Sequence, residues 1–169
     1  MKENTEMKED IEKKIWLSQE AYNKLEDELK FLSTAKRDEI KQKIAQARSE
    51  GDLKENGGYH AAREEQGKNE GRIREIEYKL ANSKITLVSS TETVQAGSLI
   101  TAKIDSQNSK FVLGSREIKS TLNDSTIDVY SPTSPIGQAV INAKKGQIVK
   151  YTAPSGKQIK IEILKISAI

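Results

Sequence analysis

Residues 50–73 read EGDLKENGGYHAAREEQGKNEGRI, and this run decides the fold. Gly51, Asn56, Gly57 and Gly58 crowd poor helix formers together, so residues 51–58 are expected to turn the chain; a glycine alone costs about 1 kcal/mol in a helix interior. Beyond the turn Tyr59, Ala62, Gln66, Asn69, Ile73, Ile76 and Leu80 recur at 3-4 spacing, the period of one helical face. Before it, Tyr22, Leu25, Leu29 and Leu32 keep that spacing, and Ile40, Ile44 and Ala47 resume the stripe after Ser33 and Thr34. The stripe is narrow, as in a coiled-coil seam. Ser18 is placed to cap the first helix, with Leu17 and Tyr22 as a hydrophobic staple around it. Two similar stripes around one breaker predict an antiparallel α-helical coiled-coil hairpin over residues 16–88. At 1.5 Å per residue its second arm, residues 59–83, reaches about 37 Å and is expected to project.

After Lys84 the texture changes to β-branched and alternating residues, and a Ser/Thr-rich connector, residues 89–97, separates a second domain over residues 98–169. Ile100, Ala102 and Ile104 alternate, as do Ile159, Ile161 and Ile163; the phase slips between Ile163 and Leu164, which predicts a bulge. Phe111 to Leu113 and Ile127 to Tyr130 read as shorter strands. Ala153-Pro154-Ser155-Gly156 offers a turn between two strands, and Ser134-Pro135 a cap and first residue for a short helix over residues 138–143. The second domain therefore reads as a small α+β sheet with one helix. Residues 1–15 alternate lysines with acids, lack the apolar core of a signal segment, and read as a frayed or disordered lead-in.

Composition excludes several classes. The 169 residues hold no cysteine, so disulfides and thiolate metal sites are excluded and a cytoplasmic setting is expected. No long apolar run is present, so no membrane partner is expected. The net charge of +3 is spread unevenly: residues 1–88 carry 18 Lys+Arg and 19 Asp+Glu, residues 89–169 carry 10 and 6. Neither half is a strongly basic nucleic-acid clamp.

The chemistry concentrates at the turn. Asp52 and Glu55 stand three residues apart, close enough to face the same way in one helical turn or a tight bend. Two carboxylates suit a hard cation such as Mg²⁺, which demands near-octahedral oxygen coordination, so an open tip with two ligands holds it weakly and a partner must complete the site. With no pocket and no nucleophile in evidence, a self-contained enzyme is not expected. Taken alone these are ordinary turn acids. Arg37, Lys41 and Arg48 recur at +4 and +7 along the first arm and Arg63 lies just beyond the turn, together a basic shoulder able to meet RNA phosphates. Tyr59 reads as an apolar plug for the turn and His60 as solvated.

The same stretch, residues 50–73, resembles the hairpin signature of the Gre family of bacterial transcript-cleavage factors. VYSPTSPIGQAVINAKKGQ, residues 129–147, is similar to that family's C-terminal motif, so the resemblance runs from Trp16 to the C-terminus. It implies a coiled coil that enters the secondary channel of a backtracked bacterial RNA polymerase, with Asp52 and Glu55 helping to hold the second catalytic Mg²⁺ while the polymerase hydrolyses its own transcript. It further implies that Arg48 and Arg63 face the nascent RNA 3′ segment, that the second domain is FKBP-like and docks on the channel rim, and that the factor acts as a monomer. Gly57-Gly58 departs from the Ala-Glu of many members, removing an acid and loosening the turn. The mixed charges of the arms favour the branch that rescues short backtracks.

Three rivals stand beside this reading. One is a channel-plugging inhibitor within the same family; the second, a coiled-coil adaptor or chaperone without metal chemistry; the third, a prolyl isomerase built on the second domain. The third has only Phe111, Tyr130 and Tyr151 to line a proline pocket.

Overall fold

A computed structural model describes residues 14–51 and 54–169. The reading of residues 1–13 as a frayed lead-in therefore lies outside the described residues. The described residues form two compact units, one within residues 23–81 and one joining residues 14–22 to 82–169.

The first unit is helical. Helix α1 (Gln19–Phe31) passes through a π-helical turn (Leu32–Lys36) into α2 (Arg37–Ser49), and after the turn α3 runs over Gly57–Ala81. Ser18 caps α1 as expected, its hydroxyl accepting from the Ala21 amide at 3.2 Å. The break in the stripe at Ser33 and Thr34 is the π turn, where both hydroxyls donate back to the Lys30 carbonyl (3.3 and 2.6 Å). The arms run in opposite directions, because Lys43 of α2 meets Glu65 and the earlier Arg37 meets the later Glu70. Their interface buries Ile40, Ile44 and Ala47 against Ala62, with Ile73 and Ile76 also buried in α3. Asn69 is buried in the same helix and donates to the Leu32 carbonyl at the π turn (3.1 Å).

One expectation is corrected here. Gly57 and Gly58 do not belong to the turn but open α3. The reason is local: a first-turn residue gives its amide to no intrahelical carbonyl, and Asn56 caps the helix instead.

The second unit is a five-stranded sheet in the order β5-β4-β3-β7-β6, built from β3 (Ser98–Ile104), β4 (Gln107–Leu113), β5 (Asp128–Tyr130), β6 (Ile148–Thr152) and β7 (Gln158–Ala168). All neighbours are antiparallel except β4 and β5. The predicted bulge is present: Thr101 pairs with Lys165 and Ala102 with Ile163, leaving Leu164 as the extra residue. The β6-β7 hairpin closes on Ala153, which accepts from the Gly156 amide (2.8 Å), and Gly156 takes the φ of +81° that a three-residue hairpin loop requires. The core forms on one face, where Ile100, Ala102, Phe111, Ile161, Ile163 and Ile166 pack under Ile136 and Val140 of the short helix α4 (Pro135–Val140).

Helix α4 begins earlier than the expected 138–143 because Ser134 caps it directly, accepting from the Gly137 amide at 3.1 Å, with Pro135 at the first position. Gly137 is obligatory for packing, since a Cβ there would lie 2.0 Å from the Ser131 carbonyl oxygen. Two further features depart from the sequence reading. Ile15–Leu17 forms a strand, β1, parallel to β2 (Ser83–Ile85), and these residues cluster with the sheet unit, not with the helices. The connector over residues 89–97 is not a free linker: Val94 is fully buried and its amide donates to the Ala143 carbonyl at 2.9 Å.

Candidate functional site at the helical turn

The turn between α2 and α3 is built around Asn56. Its amide nitrogen donates to the Ala47 carbonyl at the end of α2 (2.8 Å), and its carbonyl oxygen accepts from the Tyr59 amide at the start of α3 (3.0 Å). One side chain therefore satisfies an orphan acceptor of one helix and an orphan donor of the next. The His60 amide adds a bond to the Asn56 carbonyl (3.2 Å), and the His60 ring meets the Lys54 carbonyl at 3.1 Å. Asn56 was legible only as a helix breaker; an Asn directly before a helix start is also the signature of a cap.

Tyr59 plugs the turn as expected, packed against Ile40, Ile44 and Ala62, while its ring lies edge-on to exposed His60 at 5.7 Å. Arg48 sits over the Tyr59 ring, 5.9 Å from its centroid, a cation-π contact that holds the guanidinium beside the turn. Glu55 is exposed in this turn, and among the described residues no cation pairs with it. Asp52 lies outside the described residues.

The four candidate cations do not share one environment. Arg37 makes a two-pronged bond to Glu70 (2.7 and 2.6 Å) that ties α2 to α3. Lys41 pairs with Asp38 at 3.1 Å on its own helix. Arg63 donates to Gln66 at 2.5 Å, and Arg48 rests on Tyr59, so these two keep their positive charge nearest the turn without a carboxylate partner among the described residues. Along the arms several acids are bound up. Lys36 and Lys43 hold the Glu39 and Glu65 carboxyls below the usual carboxylate range, and Arg37 does the same for Glu70. Lys79 and then Arg72 push Glu75 down to about 2. Among the described residues no three His, Cys, Asp or Glu side chains gather as a metal site.

Residues 15–85 match the family described as "Transcription elongation factor, N-terminal", and residues 88–168 match "Transcription elongation factor, GreA/GreB, C-term". The chain belongs to the GreA/GreB family of transcription elongation factors. It is 45% identical over 163 residues to the transcription elongation factor GreA of Streptomyces coelicolor, covering 94% of this chain and 96% of that protein. To GreA of Mycolicibacterium vanbaalenii it is 40% identical over 153 residues, covering 88% and 92% of the two chains. Among solved structures, GreA factor homolog 1 of Thermus thermophilus covers 92% of this chain at 20% identity, with 99% of its own length used, and its TM-score of 0.39 is too low to bear on the fold. The family assignment thus spans both units. No helix among the described residues is long and apolar enough to cross a membrane.

Proposed function

We propose that this elongation factor binds bacterial RNA polymerase through its secondary channel and stimulates the polymerase's own hydrolysis of the 3′ end of backtracked RNA. The helical unit serves as a coiled-coil hairpin that presents its turn to the active centre, and the sheet unit as the FKBP-like docking domain. In this reading the factor is a cytoplasmic monomer, and catalysis belongs to the polymerase. The observation that carries it is an exposed carboxylate, Glu55, unpaired among the described residues, in the turn that Arg48 and Arg63 flank in sequence without carboxylate partners of their own among those residues.

Asp52 and Glu55 would hold Mg²⁺ jointly with acids of the polymerase. Their hard anionic oxygens fit that ion, and two ligands on an open turn are too few to keep it alone. When bound, the ion supplies Lewis-acid activation of the attacking water in two-metal phosphodiester hydrolysis. The chain's own contribution is positional. Asn56 fixes the entry of α3, Tyr59 fills the space beneath the turn, and Arg48, held on Tyr59, and Arg63 offer positive charge to the RNA phosphates. Arg37 and Lys41 contribute to that field more weakly, because Glu70 and Asp38 offset their charge. Gly57-Gly58 leaves room for side chains at the first position and little at the second, where a Cβ would meet Asn56 Oδ1 at 3.3 Å.

The test is transcript cleavage by a stalled, backtracked polymerase in Mg²⁺. Asp52→Asn and Glu55→Gln are expected to reduce release of the 3′ fragment by roughly 10- to 100-fold, the scale of a weakened metal shell, with little loss of polymerase binding. Undiminished cleavage by both variants would overturn the proposal. Silent acid variants combined with loss of activity in Leu29→Ser would favour an adaptor that grips through its seam.

A further inference from the structure

Beyond Leu99 and the buried Val112, the face of the sheet opposite the core is basic, and its layout follows from the strand register. Lys110, Thr101 and Lys165 are cross-strand partners in one row. In the next, Lys103 stands between Asn108 and Glu162, with Ile148 beyond. In a third, Lys150 and Lys160 are direct partners. The alternation is firm, because Ile100, Ala102, Phe111, Ile161 and Ile163 point to the core between these positions. All five lysines are exposed, and among the described residues no side-chain ion pair engages any of them. Glu162 is the one acid in the rows. Asp105, in the turn between β3 and β4, is paired with Lys157 at 2.6 Å and also lies in the field of Lys160.

Such an arrangement costs the isolated fold something. Directly opposed side chains on neighbouring strands lie about 5 Å apart, and like charges so placed repel. The helical unit shows the alternative in Lys36, Arg37, Lys43, Arg72 and Lys79, each of which holds a carboxylate. Five lysines against the single acid Glu162 leave the face with a net positive charge that suits an anionic partner, and its composition selects the kind. Protein interfaces are depleted in lysine and rely on aromatic and arginine anchors, which this face lacks. A single-stranded nucleic acid needs exposed rings on which bases stack, whereas Phe111, Tyr130 and Tyr151 all pack on the core side. What remains is a flat array of point charges, interleaved with the hydrogen-bonding side chains of Thr101 and Asn108. Beside it, an open hollow of about 490 Å³ is lined by Lys103, Lys157 and Lys160 together with Asp105 and Glu162, three cations to two acids. That is the equipment for phosphate contact without base readout.

We propose that this face of the sheet unit binds the phosphate backbone of duplex nucleic acid, independently of sequence. The site is separate from the carboxylates of the helical turn and does not depend on their role. The test uses the full chain and a short, fluorescently labelled DNA duplex, with anisotropy followed across a salt series. Each phosphate contact contributes about −0.9 to the slope of log affinity against log salt, so wild type should show a slope near about −4. Lys150→Gln/Lys160→Gln should cut the magnitude of that slope by about 2 and weaken binding roughly tenfold or more at low salt. Its melting temperature should be unchanged or raised, since a repulsion has been removed. Arg48→Gln/Arg63→Gln should leave the duplex slope unchanged. No duplex binding by wild type at low salt, an unchanged slope in the lysine variant, loss confined to the arginine variant, or tighter binding to a single strand or to polyglutamate would each overturn the proposal.

Discussion

The two units of this chain handle charge in opposite ways. In the helical unit many cations and acids are matched: Arg72 with Glu28 and Glu75, Arg37 with Glu70, Lys43 with Glu39 and Glu65, Lys68 with Glu64. In the sheet unit stability comes from a closed apolar core, and five lysines on the other face make no side-chain ion pair among the described residues. The difference follows from geometry. A narrow helix pair buries few residues and must recruit its flanks, where charges three or four apart and across the seam are natural neighbours. A sheet covered on one side can bury a full layer and leave its other face to a partner.

The sharpest way to break this contrast is to remove core from the sheet. Phe111 is fully buried and edge-to-face with Tyr130 at 5.3 Å. Phe111→Ala should cost about 3–5 kcal/mol, read as lost hydrogen-exchange protection across β3, β4 and β7. Equal loss across α2 and α3 would show that the units unfold as one block and erase the distinction. A smaller effect is expected at the turn. Asn56→Ala removes two bonds and should cost about 1–2 kcal/mol, seen first as faster exchange at the Tyr59 and His60 amides. Glu55→Gln, with no partner to lose among the described residues, should leave both amides as they are.

The smallest expected effect is with acid. Glu75 ordinarily titrates at 4.5 and is held near 2 in the fold, so its pairing stabilises fully above pH 4.5 and is lost as pH falls toward 2. Glu39, Glu64, Glu65 and Glu70 are shifted in the same direction. Helical ellipticity should therefore decline in that window before the sheet's amides exchange, and less so in high salt, because these pairs are near the surface. A helical signal flat down to pH 2 would show that the pairs contribute nothing.

Much of the fold was legible where a residue type carries its own geometry. Ser18 and Ser134-Pro135 announced caps, Pro154 and Gly156 a hairpin, and the slip after Ile163 a bulge. The unread parts lacked such signals. Three residues, Ile15 to Leu17, are too few for a periodicity, so β1 and its parallel partner stayed hidden. The first half of β4, Gln107 to Lys110, is polar because it lies at the wet end of the strand. Lysines facing solvent looked like scattered charges until the register set them side by side. At the turn, spacing made Asp52 and Glu55 candidates, and Asn56 was misjudged, since the property that makes it a poor helix former also makes it a good cap.

The π turn at Leu32–Lys36 explains how one buried stripe survives a break in its spacing. Each residue of an α-helix advances its face by about 100°, so a surplus residue wound at the ordinary pitch would carry α2 off the side that α1 presents; the wide turn absorbs that residue instead. Leu25 before the turn and Ile40 after it are therefore both buried. Asn69 meets the Leu32 carbonyl from α3 and holds the wide turn in place. Trimming a single residue there would regularise the helix and leave the face of α2 where it stands.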